Sequence, residues 1–97
     1  MKRGSAYWMW ADCRLPTVDH HEVTSNGIII DVQARLSKIG IPQLFIGVYN
    51  SACSPIFEEA YLDGVSDTVT TTLHWGIYQA RQIAAGFGEK GRSISHR

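Results

Sequence analysis

Between Ser66 and Ala85, Val69, Leu73, Gly76, Ala80, Ile83 and Phe87 recur at alternating steps of four and three, one stripe of an α-helix. His74, Tyr78, Gln79, Arg81 and Gln82 fall on the opposite, mostly polar side. Ser66 or Asp67 offers an N-terminal cap and Gly86 a left-handed stop, so the pattern predicts a helix over residues 66–85 that lays its stripe on a sheet.

Elsewhere the period is two. Ala6 to Leu15 alternates Tyr7, Met9, Ala11, Cys13 and Leu15 with Trp8, Trp10, Asp12 and Arg14, which predicts a strand ended by Pro16. Pro16 to Asn26 is polar and reads as a long connection. In Gly27 to Gly40, Ile28, Ile30, Val32, Ala34 and Leu36 alternate with Asp31, Gln33, Arg35 and Ser37, but Ile29, Val32, Leu36 and Ile39 would equally stripe a helix. Three successive isoleucines favour the strand, because β-branched side chains lose freedom in helices and fit a pleated surface. Gln43 to Tyr49 and Ile56 to Leu62, joined by the turn formers of residues 50–55, predict a hairpin with Leu44, Ile46 and Val48 turned toward the helix. No internal repeat and no second domain are evident. The predicted fold is α+β, a single domain over residues 1–97, with an antiparallel sheet of three to four strands and one C-terminal helix on one face. Residues 1–5 and 88–97 are expected to be mobile.

Within that frame, Trp75, Gly76, Ala80 and Arg81 are spaced as W-G-x-x-x-A-R, after a strand and a hairpin. Over roughly residues 27–86 this resembles small uncharacterised bacterial domains of β-β-β-α order, a family of the unknown-function type. The resemblance implies a fold and a bacterial source, and it brings no activity or site residues.

Composition narrows the function classes. Nine Lys plus Arg balance nine Asp plus Glu, so no net field draws the chain to nucleic acid or an anionic membrane. No apolar run approaches the roughly 20 residues of a membrane span. With no signal-peptide pattern, the chain reads as a soluble cytoplasmic protein whose two cysteines, Cys13 and Cys53, are reduced thiols.

Candidate chemistry is sparse. Asp19, His20, His21 and Glu22 are metal-ligating types, and a site built on them would recruit Cys13 or His74, but adjacent histidines diverge on an extended backbone. Cys53 would need a base such as His74 to act as a nucleophile, and no motif places them together. A metal-binding protein or small enzyme using His20, His21, Glu22 and Cys53 is therefore the alternative reading. Gly86, Gly88 and Gly91 match G-x-G-x-x-G but follow a helix, the reverse of the dinucleotide context. Arg35 is expected to pair with Glu59 across the sheet.

Aromatic residues give the leading hypothesis. With the aliphatic side against the helix, Phe45, Tyr49, Phe57 and Tyr61 would share the far side of the sheet with Asp31, Gln33, Arg35 and Glu59. Such a platform can stack single-stranded bases, but it lacks the cationic charge for a nucleic-acid backbone. A protein interface fits better, with Trp8 and Trp10 among its residues: their segment, from the same chain or a second copy, would cover the face, and the expectation is closure by homodimerisation or a protein partner. The sequence thus predicts a non-enzymatic interaction or regulatory module with no catalytic residues, no metal, no cofactor, no nucleic-acid partner and no membrane.

Overall fold

The computed structural model describes residues 4–12 and 14–88. Elements follow in the order α1 (Ser5–Trp10), β1 (Thr17–Val23), β2 (Ile29–Leu36), β3 (Pro42–Tyr49), β4 (Pro55–Tyr61) and α2 (Val69–Gly88). The four strands form one antiparallel meander in the order β1-β2-β3-β4, and α2 lies across one face, the predicted α+β architecture. The expectation that Cys13 and Cys53 are reduced thiols rests partly on Cys13, outside the described residues. The expected mobile ends fall mostly outside them too, with Ser5 opening α1 and Gly88 closing α2.

Ile28, Ile30, Val32 and Ala34 of the β2 side meet Leu44, Ile46 and Val48 of β3, and all seven are buried beneath α2. From the helix come Leu73, Gly76, Ala80 and Ala84, the first three being members of the predicted stripe. Gly76 is where the layers come closest. A Cβ there would meet Leu44 Cδ1 at 2.6 Å and Val32 Cγ1 at 2.8 Å, so the missing side chain lets the helix backbone rest on the sheet. The cap is one position later than Ser66 or Asp67: Thr68 Oγ1 accepts from the Thr71 amide at 3.1 Å. Gly86 does not stop the helix, which continues to Gly88. Phe87, last in the predicted stripe, falls outside the described side chains.

Two segments depart from the sequence reading. Residues 6–15 are not a strand, since Ser5–Trp10 is a short helix whose Gly4 cap makes no side-chain hydrogen bond. Six residues cannot sustain a helix in water, so packing on the sheet decides its conformation. The predicted connection over residues 16–26 instead contains β1, whose polar composition suits an exposed edge strand.

The three hairpins share one turn. At Thr24, Ser37 and Asn50, thirteen residues apart, the side-chain oxygen accepts from the amides two and four residues ahead, at 2.9 to 3.3 Å. In each, the third residue after that position donates its amide back to that residue's carbonyl, and it is Gly27, Gly40 or Cys53, with φ of 82°, 84° and 67°. This is a repeat that the sequence reading missed. It is spelled in backbone geometry and in three different oxygen-bearing side chains, not in a common motif.

Candidate functional site

On the face away from α2, β2 and β3 present Asp31, Gln33, Arg35, Phe45, Gly47 and Tyr49, joined by Glu58 and Ala60 of β4 through the register. This face is not open. α1 lies on it, with the Tyr7 ring edge-on to Phe45 at 5.2 Å and Trp10 tilted against the same ring at 5.6 Å. Phe45 and Tyr49 are fully buried and Trp10 is 4% exposed. Of the covers expected, the segment with Trp8 and Trp10 from the same chain is the one present, as a helix and not as a strand.

Arg35 fastens that cover. Its Nε donates to Gln43 Oε1 at 2.8 Å and its Nη1 to the Trp10 carbonyl at 2.7 Å, an orphan acceptor at the end of α1. The guanidinium carbon stands 3.9 Å from the Trp10 ring centroid. Burial pulls its pKa below the ordinary guanidinium value, and Asp12 pushes partly back. The expected Arg35–Glu59 pair does not form. Arg35 lies opposite Thr17 and Gln43, while Glu59 lies opposite Ile46 on the α2 side. At the other end of α1, Glu58 Oε2 accepts from the Gly4 amide and from the Tyr49 hydroxyl, both at 2.7 Å. The Tyr49 ring reaches Glu58 over Gly47, where a Cβ would come within 2.6 Å of the hydroxyl.

The predicted four-ring platform is therefore split. Phe57 and Tyr61 face α2 through pairing with Val48 and Leu44, and Tyr61 meets Trp75 edge-on at 5.5 Å. Burial also pushes the Tyr61 hydroxyl pKa up. Of the six predicted interface residues, Trp8 alone is well exposed, at 64%. Beside it stands Met9, 87% exposed, and a shallow depression of about 280 Å³ is lined by Ala6, Met9, Trp10, Ala60 and Leu62. Sequence reasoning missed Met9 and Leu62. The available signal was the three-residue spacing of Tyr7 and Trp10, which in a helix turns both onto the sheet and leaves Met9 outside.

The acidic and histidine run is divided by β1. Strand alternation sends His20 and Glu22 to the α2 side and Asp19 and His21 to the other, where His21 Nε2 lies 3.0 Å from the buried Asp31 carboxylate. Glu22 joins strand to helix: Arg81 Nη2 donates to its Oε1 at 2.8 Å and Arg81 Nε to its Oε2 at 3.0 Å, while His20 Nε2 stands 2.7 Å from Oε1. Hydrogen bonding from Arg81, then from His20, lowers the Glu22 pKa from 4.5 to about 2 against the opposing effect of burial. His20 and His74 do share one shallow depression with Ile77, Tyr78 and Arg81. Cys53 is in the β3–β4 turn, with two strands between it and β1, so the donor set proposed for a metal or enzyme site is not assembled. Among the described residues no three His, Cys, Asp or Glu side chains group as a metal site. No helix among them is long and apolar enough to cross a membrane.

No family model, curated protein or solved structure matches this chain.

Proposed function

We propose that this domain is a non-enzymatic protein-interaction module that binds its partner through the outer side of α1. The observation that carries this reading is the placement of Trp8 and Met9, two large apolar side chains held outward on a helix whose inner side is already committed to Phe45. Leu62, also exposed, extends the patch across the depression. Single exposed apolar residues are ordinary, but Trp and Met exposed at successive positions of one short helix have the composition of an interface centre. Its base is rigid, since Arg35 and Glu58 tie both ends of α1 to the sheet, so little ordering entropy opposes binding.

Comparative capture tests the proposal. The immobilised domain is expected to retain a protein from its host that Trp8→Ser/Met9→Ser, folded with an unchanged melting temperature, retains at least tenfold less. Equal retention by the two overturns it.

A further inference from the structure

The two edges of the sheet are unlike. β4 opens with Pro55, follows a register irregularity at Val48/Tyr49, carries Glu58 and Glu59 side by side, and has α1 packed beside it. Those are the devices that protect an edge from further pairing. β1 has fewer: apart from the charges of Asp19 and Glu22, Thr17–Val23 contains neither Pro nor Lys, pairs with β2 without a bulge over all seven residues, and exposes Val18 and Val23. Thr24 donates its amide to the Ile28 carbonyl at 2.9 Å, so alternation turns the backbone groups of Thr17, Asp19, His21 and Val23 outward, away from β2.

We infer that β1 is a homodimerisation edge, pairing antiparallel with β1 of a second copy about a twofold axis at His20. That register gives the outward edges one polar match, made twice. Asp19 faces His21 of the second copy, twice by symmetry, and Thr17 faces Val23, while His20 meets its own counterpart on the axis. The outward-turned residues face one another, so all four of those pairs are hydrogen-bonded ones. A one-residue slide would set the outward-turned backbone groups of one copy against inward-turned residues of the other and form no ladder. A two-residue slide shortens the ladder from seven residues to five and puts either Asp19 or His21 against its own copy. The product is a continuous eight-stranded sheet with both copies of α2 on one side. This goes beyond the partner-binding reading of α1, and its surface is separate from the Trp8–Met9 patch.

Sedimentation of the full chain at tens of micromolar is expected to give a dimer. Asp19→Pro is expected to give a folded monomer whose melting temperature no longer rises with protein concentration, because the lost N–H is not in the β1–β2 ladder. With both native cysteines changed to serine, His20→Cys is expected to form an intermolecular disulfide under mild oxidation, since residues facing each other in a non-hydrogen-bonded pair lie about 4.5 Å apart. Glu22→Cys, which would face Val18 of the second copy, is expected to stay reduced. A monomeric wild type, equal cross-linking at positions 20 and 22, or a dimer dissolved by Trp8→Ser/Met9→Ser and not by Asp19→Pro overturns the inference. The partner-binding reading fails separately, in the capture comparison.

Discussion

The turn at Asn50 differs from its two counterparts at the position of positive φ. Where Gly27 and Gly40 sit at positive φ without a side chain, Cys53 holds φ at 67° with a Cβ crowding the following carbonyl. Left-handed backbone costs an ordinary L-residue roughly 1–2 kcal/mol, and glycine avoids that cost. Cys53→Gly is therefore expected to raise the unfolding free energy by about 1 kcal/mol, and Gly40→Ala, with open space around it but the wrong φ, to lower it by about 1 kcal/mol. Urea denaturation of the three proteins checks both signs. A loss of stability in Cys53→Gly would mean that the partly buried thiol contributes packing worth more than the relieved strain.

At the scale of the element, α1 shows how a segment takes its conformation from its surroundings. Its residues alternate as well as any strand of the chain, yet the sheet has no room for a fifth strand on the covered face, whereas a helix brings Tyr7 and Trp10 onto Phe45 together. Arg35 supplies the polar half of the contact by satisfying the Trp10 carbonyl. Arg35→Met keeps much of the volume and removes the donors, leaving that buried carbonyl unpaired at a cost of about 1–3 kcal/mol. The loss is expected to be local. The Trp10 indole N–H, buried without a hydrogen-bond partner among the described residues, should exchange with solvent far faster in the variant, while amides in the middle of α2 keep their protection. Equal acceleration in both elements would show that α1 and the core unfold as one unit.

Across the whole molecule, the link between sheet edge and helix has a pH signature. The Glu22 pKa lies at about 2 in the folded chain against an ordinary 4.5. A carboxylate depressed by folding contributes stability that is fully present above its unfolded pKa and is lost as pH falls through the folded one, here between about 4.5 and about 2. Arg81 is more than half exposed, so water and salt screen the pair and its worth is about 1 kcal/mol rather than the full value of the shift. Glu22→Gln is expected to be less stable than the wild type by that amount at pH 6 and to have lost most of the difference near pH 2, as measured by urea midpoints. A difference undiminished at pH 2 would assign the effect to packing.

Period and residue type were enough to settle the β3–β4 hairpin and α2 and to favour a strand at β2, where a helical stripe fitted as well, because each has a face whose burial demands its period: alternation at Ile30, Val32 and Ala34, and steps of three and four through Leu73, Gly76 and Ala80. Local pattern could not settle α1 or β1. Ser5–Trp10 satisfies both periods on paper, and only the position of Phe45 and Arg35 beneath it selects the helix. β1 is a strand because β2 offers it a ladder, with two of its side chains ending in contacts to Asp31 and Arg81 that lie 10 and 59 residues away. The same distance in sequence explains the candidate site. Whether Trp8 and Met9 face solvent or sheet, and whether His20 and His21 share a side, are decided by elements far along the chain, since a side chain's direction is fixed by its own backbone but its neighbours are fixed by the fold.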